Sequence, residues 1–188
     1  LPRGCKHLHL PVQSGSTPIL ESMRRRHTRE EYLELVAVVR DAIPKIVLST
    51  DMIVGFPGET TSDFEQTLSL TAAVRYQNMF SFKYSERPNT LAQKRMLNTV
   101  EEPEKTRRLM TLQTLQKGIQ LSLHDAQLGR CVEVLVDSRS RRRPEELSGR
   151  TDGNTVVNFP GKAEWIGRTV RVRVKRAGPN SLWGEIEG

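Results

Sequence analysis

Cysteine is scarce in this chain of 188 residues, and long apolar runs are missing from it. Its two cysteines, Cys5 and Cys131, are too few for a disulfide framework and match no zinc-ligand spacing. No apolar run reaches the roughly 18 residues that a membrane span needs, and no signal-peptide pattern opens the sequence. We therefore expect a cytoplasmic protein with no membrane segment, in which both cysteines are packed thiols.

Acidic residues are outnumbered by basic ones. The chain has 29 Lys and Arg against 22 Asp and Glu, which gives a formal net charge of +7. The excess is uneven, because residues 126–188 hold 12 basic and 8 acidic residues while the first 125 residues hold 17 and 14. A basic excess concentrated in one part of a chain favours a polyanionic partner such as nucleic acid.

Strand-like and helix-like segments alternate along the first hundred residues. The predicted strands are 8–13, 46–54 and 79–84, and the predicted helices cover 17–23, 28–44 and a segment that begins at Thr60 or Thr61. This alternation is typical of a parallel sheet with right-handed crossovers. Three strands are only part of such a sheet, so we expect the remaining N-terminal strands to lie outside this chain.

Helix signals in this region are specific enough to name individual residues. Thr17 is predicted as an N-cap, and Thr28 with Glu31 as a capping box. The third helix is expected to bury a stripe of apolar side chains, namely Phe64, Leu68 and Ala72.

The second half of the chain changes character. The stretch from Pro103 to about Leu128 predicts a long amphipathic helix, with an apolar stripe of Leu109, Leu112, Leu115, Ile119 and Leu123. Five short β-rich runs follow, over residues 131–136, 147–151, 155–159, 169–174 and 181–186, and indicate a small barrel. We accordingly divide the chain at residues 1–100, 101–127 and 128–188.

Polar residues occur where the predicted parallel strands end. Gln13 and Ser14 close the first strand, and Asp51 interrupts the apolar second one. Ligands usually bind at this edge of α/β folds, although a tight turn with locally bonded polar atoms is the alternative. Asp51 could instead pair with an arginine of residues 24–26. His7 and His9 share one strand face, but without a third ligand we favour packed or hydrogen-bonded histidines over a metal pair.

Several long segments resemble the radical S-adenosylmethionine methylthiotransferases. They are HLPVQSGS at 9–16, MRRRHTREEY at 23–32, STDMIVGFPGET at 49–60, FKYSERP at 82–88, GRTDGN at 149–154 and VNFPG at 157–161. The resemblance implies an α/β fold: the C-terminal part of a (β/α) radical SAM partial TIM barrel, followed by a small all-β, OB-like TRAM barrel. It also implies addition of a methylthio group to C2 of N6-dimethylallyladenosine next to the anticodon, with the anticodon stem-loop of tRNA as partner and a monomeric enzyme.

The same resemblance implies roles for individual residues. Arg25 would pair with the methionine carboxylate of S-adenosylmethionine, Asp51 would accept a hydrogen bond from its ribose or adenine, and Gln13 would contact the ribose. The full predicted cofactor-binding set is Gln13, Ser14, Arg25, Asp51, Ile53, Val54 and Gly55. Tyr84 and Arg87 are assigned to the substrate side, where Glu86 and Asn89 replace residues that are usual in the family.

The family's cluster-binding motif, C-x-x-x-C-x-x-C, does not occur in this sequence. Cys5 and Cys131 cannot replace it, because a four-iron cluster needs several thiolates that converge on one site. We therefore predict no catalytic or metal-ligating residue in this chain and expect it to be inactive alone. Two 4Fe-4S clusters would be held elsewhere in the parent protein, meaning the longer protein that would contain this chain.

The predicted RNA-binding residues are basic and lie in the last domain. They are Arg139, Arg141, Arg142, Arg143, Arg150, Lys162, Arg171 and Arg173. Arg171, Arg173 and Lys175 alternate and so share one strand face, although a solvated charged face is the alternative. The few aromatic residues of this domain, Phe159, Trp165 and Trp183, are assigned to its core, which favours recognition of RNA by backbone and shape.

Two other functions are compatible with these residues. One is methylthiolation of a ribosomal-protein aspartate, as in a sister family, and the other is a non-catalytic RNA-binding module. The arginine-rich barrel favours RNA over a protein substrate.

Overall fold

The computed structural model describes residues 5–86, 96, 99–141 and 143–187. Two compact units divide the chain, one of Leu8–Ile119 and one of Leu1–His7 with Gln120–Gly188. An α/β portion is followed by a closed five-stranded barrel, which confirms the predicted fold class. The three domain boundaries drawn from the sequence stay predictions.

A three-stranded sheet forms the centre of the first unit. Its strands, in spatial order, are β1 (His7–His9), β2 (Val47–Val54) and β3 (Asn78–Lys83). β2 and β3 are parallel, with Asp51 opposite Phe80. β1 is shorter than predicted because Pro11 has no N–H to continue the ladder. The hydroxyl of Thr50 fills the gap, since it accepts from Val12 N and donates to Leu10 O.

Three helices accompany this sheet: α1 (Thr17–Ser22), α2 (Arg29–Ala42) and α3 (Thr61–Val74). The capping box of Thr28 and Glu31 is confirmed, and Thr60 rather than Thr61 caps α3. The prediction for Thr17 was wrong, because the N-cap of α1 is Ser16. The hydroxyl of Ser16 donates to Asp63 Oδ1 at 2.5 Å instead of accepting from the helix.

Packing in the first unit differs from the predicted apolar stripes. α3 buries Phe64, Leu70 and Val74, whereas Ala72 is exposed. Two threonines, Thr67 and Thr71, are also fully buried. The Thr71 hydroxyl donates to the carbonyl oxygen of Thr67 at 2.9 Å. A polar residue can lie on the buried face of a helix when its hydroxyl bonds to the preceding turn, which an apolar-stripe search does not detect.

A long helix, α4 (Glu102–Asp125), follows. Two of the five residues of the predicted apolar stripe, Leu112 and Ile119, are buried, whereas Leu109, Leu115 and Leu123 are only half-buried. In the part of α4 that belongs to the first unit, three polar side chains are also buried: Lys105, Arg108 and Gln116. Each has a polar partner, which allows its burial.

The second unit contains the barrel. Its strands are β4 (Cys131–Arg139), β5 (Glu146–Arg150), β6 (Val156–Pro160), β7 (Thr169–Ala177) and β8 (Leu182–Ile186), in the closed order β4-β5-β6-β8-β7. A short 3₁₀ helix, Ala163–Trp165, precedes β7. The apolar core is formed by Val134, Val136, Leu147, Val157, Phe159, Val172, Val174 and Leu182. Five strands were predicted, and five are present in this described part.

The predictions that the side chains of Cys5 and Trp183 are packed in the interior were wrong. Cys5 is exposed, because it precedes β1, while Cys131 is half-buried. Trp183 is half-buried on the outside of the barrel, since its neighbours Leu182 and Gly184 point inward along β8. Trp165 is half-buried and packs against the barrel core, whereas Phe159 is buried in that core as predicted.

Candidate functional site

Three of the predicted cofactor residues meet at the end of β2. Gln13 N donates to Asp51 O at 3.0 Å, and Ile53 N donates to Gln13 O at 2.9 Å. These two bonds hold the turn after β1 against β2. Arg25, which follows α1, donates from Nε to Gln13 Oε1 at 3.1 Å. Gln13, Arg25 and Asp51 are therefore neighbours, although they are up to 38 positions apart in the sequence.

The backbone of Gln13 has a φ of +75°, in the left-handed region that non-glycine residues seldom adopt. The segment that follows is packed tightly against α3. A Cβ on Gly15 would lie 2.5 Å from Cα of Thr67, so only glycine fits there. Strain of this kind often accompanies ligand sites and is maintained by the surrounding structure.

Arg29 joins the segment around Gly15 to α3 by hydrogen bonds, a role that the sequence did not predict. Its guanidinium donates to Gly15 O at 3.0 Å and to Gln66 O at 2.7 Å. A third bond reaches the Ser69 hydroxyl at 2.9 Å. Ser14 is fully buried, and its hydroxyl accepts from Ser16 N at 3.2 Å. The Ser14 side chain is thus already bonded within the turn.

Asp51 lies on an accessible face of the sheet. Its side chain is 34% exposed, and Oδ1 is 3.4 Å from His9 Nε2. The other ring nitrogen of His9 is 2.9 Å from Ser49 Oγ. The alternative ion pair with an arginine of residues 24–26 is wrong, since histidine is the partner. His9 is therefore hydrogen-bonded, and among the described residues no cluster of three His, Cys, Asp or Glu side chains could hold a metal.

The other predicted cofactor residues divide between the two sides of β2. Ile53 shares the accessible face with Asp51, because the two are separated by one residue. Val54 points into the core, and its carbonyl accepts from Tyr84 N at 2.8 Å. Gly55 has a φ of +73°, and its N–H donates to Glu59 Oε2 at 2.7 Å. Only Ile53 of these three presents a side chain beside Asp51.

A buried ion pair between Glu59 and Arg108 lies next to Gly55, and the sequence did not predict it. Glu59 is fully buried and accepts from Arg108 Nη1 at 2.7 Å. Burial raises the pKa of the Glu59 carboxyl, although the hydrogen bonds from Arg108 and Gly55 act in the opposite direction. The stem of Lys105 also lies against Gly55, because a Cβ on this glycine would be 2.3 Å from Lys105 Cγ.

Tyr84, predicted on the substrate side, packs edge-on against Phe56 with ring centroids 5.0 Å apart. Burial, followed by the charge of Glu86, raises its pKa. A cavity of about 570 Å³ lies beside it and is also lined by Phe82, Lys83 and Lys105. Arg87 lies outside the described residues.

The placement of these side chains suits the chemical groups of S-adenosylmethionine. Arg25 is exposed and offers a guanidinium for a carboxylate, while Asp51 offers an accessible acceptor for hydroxyl or amine hydrogens. Gln13 links the two through its backbone and its side-chain amide. The assignment of cofactor contacts to individual residues stays a prediction.

Most of the predicted RNA-binding arginines of the barrel have acidic partners. Arg171 and Arg173 both pair with Glu187, and Lys175 approaches Glu185 at 4.0 Å. The basic row along β7 is exposed as predicted, but these carboxylates neutralise much of its charge. Other pairs join Arg143 to Glu146 at 3.0 Å and Arg150 to Asp137 at 3.7 Å. Lys162 is exposed, and Arg142 lies outside the described residues.

No carboxylate lies within ion-pair distance of Arg139, Arg141 or Arg176 among the described residues. Arg139 donates to the carbonyl oxygen of Pro144 at 3.2 Å, which leaves its charge uncompensated. Uncompensated positive charge is therefore found on the β4 side and at the end of β7, and it also occurs at the exposed side chains of Arg130, Lys162 and Arg168.

Segments in both units match models of known protein families. A model of the radical SAM superfamily matches residues 1–71, and a model of the TRAM domain matches residues 125–186. A protein of Geobacter metallireducens named tRNA-2-methylthio-N(6)-dimethylallyladenosine synthase is 49% identical over 186 residues, which are 99% of this chain and 42% of that protein. Proteins of the same name from Moorella thermoacetica and Solibacter usitatus are 50% and 47% identical and cover 99% and 96% of this chain.

The chain spans about two fifths of the length of these relatives, since it covers 42%, 42% and 41% of them. In the part of the chain that the structure describes, no helix combines the length and the apolar character that a bilayer crossing requires.

Proposed function

Because residues 1–71 of this chain belong to the radical SAM superfamily and residues 125–186 form a TRAM domain, we propose that it is part of a tRNA methylthiotransferase. The reaction is addition of a methylthio group to C2 of N6-dimethylallyladenosine next to the anticodon. The observation that carries this proposal is the hydrogen bond between Arg25 and Gln13 beside Asp51, in a chain about half identical to enzymes named for this modification.

Radical SAM membership implies S-adenosylmethionine and 4Fe-4S chemistry in the parent protein. When bound, S-adenosylmethionine together with 4Fe-4S chemistry supplies a methyl group and a radical able to remove hydrogen from an unreactive carbon. We assign to this chain the binding of the nucleoside and amino-acid ends of the cofactor. Two clusters and all of their ligands are assigned to the remainder of the parent protein.

Each of the three residues has a distinct task in this proposal. Arg25 forms a charge-assisted hydrogen bond with the methionine carboxylate and so fixes that end of the cofactor. Asp51 accepts from ribose or adenine, with its carboxylate oriented by His9. Gln13 keeps Arg25 at the correct distance from β2, because it bonds to Arg25 through its side chain and to β2 through its backbone.

The TRAM barrel binds tRNA in this proposal, with the anticodon stem-loop as the region contacted. Its uncompensated arginines attract the phosphate backbone. The enzyme acts as a monomer in the cytoplasm. The same basic surface favours an RNA substrate over a ribosomal protein.

Nucleoside mass spectrometry tests the proposal directly. A host that lacks its own methylthiotransferase is complemented with the parent protein, and its tRNA is digested to nucleosides. We expect the methylthio adduct of dimethylallyladenosine to appear. An Asp51→Asn parent protein serves as the matched control and is expected to give much less adduct.

Two other results would contradict the proposal in different ways. If a ribosomal protein gained the mass of a methylthio group while tRNA did not, the chemistry would stand and the substrate would be wrong. If neither molecule were modified, the chain would be an RNA-binding module without catalytic function.

A further inference from the structure

One level of the TRAM barrel carries a row of polar and aromatic side chains that crosses all five strands. The strand register pairs Ser138 with Ser148, Ser148 with Asn158, Asn158 with Trp183, and Trp183 with Arg176. We call these five residues the outer belt. Their immediate neighbours on the three central strands are buried, so the belt side chains face solvent.

Two β-bulges bring the ends of the belt to the surface. On β4 the register shifts between Val136 and Ser138, and on β7 it shifts between Val174 and Arg176. Val136 and Val174 are buried, and a regular strand would also turn Ser138 and Arg176 inward. The extra residue reverses this direction in both strands. Bulges are often found where a strand aims a side chain at a functional site.

Trp183 and Arg176 form a stacked pair within the belt. The guanidinium carbon of Arg176 lies 4.0 Å from the centroid of the indole ring. The indole is fixed in turn, because Nε1 donates to Glu146 Oε1 at 2.8 Å. Arg143 pairs with the same oxygen at 3.0 Å, so the charge of Glu146 is already compensated. Arg176 is exposed and presents the outer face of its guanidinium to solvent.

Two adjoining cavities lie beside the outer belt and together form a groove. One, of about 290 Å³, is lined by Trp183 and Arg176, and the other, of about 580 Å³, by Arg139 and Arg141. Both include Asn158. The stacked pair and the two uncompensated arginines therefore lie along one polar groove.

We propose that this groove binds a single-stranded segment of RNA. One base stacks on the guanidinium of Arg176, which the indole of Trp183 supports from below. Arg139 and Arg141 contact phosphates, and Ser148 and Asn158 offer hydrogen bonds to sugar or phosphate oxygens. Stacked arginine planes and cationic side chains together form the usual recognition surface for unpaired RNA. This inference rests on the proposed function, because a tRNA loop is the single strand in question.

The proposed groove differs from the basic face of β7 that the sequence predicted as part of the RNA-binding surface. Arg171 and Arg173 form a regular basic row, but both pair with the single carboxylate of Glu187, which halves the net positive charge of the two. Stacking and uncompensated charge coincide only at the outer belt and its groove, within the described part of the barrel.

The test is tRNA binding by the parent protein with substitutions that separate stacking from charge. Arg176→Lys keeps the positive charge but loses the planar group, and we expect binding about tenfold weaker with an unchanged dependence on salt. Arg141→Ala should reduce the slope of log K against log salt by about 0.7, the value for one phosphate contact on a single strand. Arg171→Ala is the matched control on β7 and should bind tRNA like the unsubstituted protein.

The opposite pattern overturns the inference: full binding by Arg176→Lys, or a loss with Arg171→Ala as large as that with Arg176→Lys. These arginines are exposed, and equal melting temperatures of the variants show that folding is not responsible. Competition adds a second measurement, in which a short single-stranded oligoribonucleotide should displace tRNA and the same sequence as a duplex should not. If the parent protein forms the methylthio nucleoside but these binding results fail, only the inference is wrong.

Discussion

Arg108 and Glu59 form a fully enclosed ion pair 49 positions apart in sequence, with Nη1 of the arginine 2.7 Å from Oε2 of the carboxylate. The same guanidinium nitrogen donates to the carbonyl oxygen of Glu59 at 2.9 Å. Because Oε2 also accepts from Gly55 N, the pair connects α4 to the end of β2. The proposed cofactor-binding edge is thus supported by a helix that contributes no residue to it.

Removal of one partner of this pair should destabilise the protein strongly. Arg108→Ala leaves the Glu59 carboxylate buried without its cation, for which we expect a loss of about 3–5 kcal/mol in the free energy of unfolding. Arg107→Ala is the control, because Arg107 also pairs with Glu104 but is 57% exposed. Its effect should stay below about 1 kcal/mol. Urea unfolding followed by circular dichroism measures both, and equal losses would contradict the importance of burial.

Two glycines should respond in opposite directions to replacement by alanine. Gly55→Ala places a Cβ at 2.3 Å from Lys105 Cγ on a backbone with a φ of +73°, so we expect about 1–3 kcal/mol of destabilisation. Gly118 lies within α4, and a Cβ added to it would meet no atom of the described residues within 4 Å, apart from its chain neighbours and the adjacent helix backbone. Gly118→Ala should stabilise the protein by about 0.5–1 kcal/mol, because alanine is the better helix former. Thermal melting of the two variants decides the signs.

Acid should weaken the first turns of α4. Hydrogen bonds from Arg107 and then from Arg108 lower the pKa of Glu104 from 4.5 to about 2. A carboxyl with a lowered pKa contributes stability above its unfolded value, and this contribution is lost as the pH falls from about 4.5 toward 2. The difference in unfolding free energy between the unsubstituted protein and Glu104→Gln should therefore be largest above that window and shrink within it. A difference independent of pH would contradict this account.

Local signals were predictable from the sequence, while long-range polar contacts were not. The capping box of Thr28 and Glu31 needs only residues within one turn, so a short motif identifies it, and local sequence also placed the start of α3 at Thr60 or Thr61. The burial of Arg108 depends on Glu59, which lies 49 positions away, and that of Gln116 on the carbonyl of Tyr76, 40 positions away. An apolar-stripe search assigns such residues to solvent, because it cannot include a distant partner.

The candidate site shows the same division. Asp51 attracts attention as an acid in an apolar strand, but its histidine partner follows only from the pairing of β1 with β2. Arg25 was identified through the family resemblance and not through spacing. The outer belt was missed because two single-residue bulges reverse the direction of Ser138 and Arg176, and an alternating pattern cannot show a bulge.

The proposed roles of Arg25 and Asp51 can be separated with two ligands. 5′-Methylthioadenosine shares the nucleoside of S-adenosylmethionine but has no amino-acid carboxylate. Loss of a charge-assisted hydrogen bond costs about 1.5–3 kcal/mol, so Arg25→Ala should weaken binding of S-adenosylmethionine to the parent protein by about 10- to 150-fold. The same variant should bind 5′-methylthioadenosine normally, whereas Asp51→Ala should weaken both ligands. Arg26→Ala, an exposed neighbour, is the control. Calorimetric titration with an unchanged iron–sulfur spectrum gives the measurement, and equal losses for both ligands with Arg25→Ala would remove its assignment to the carboxylate.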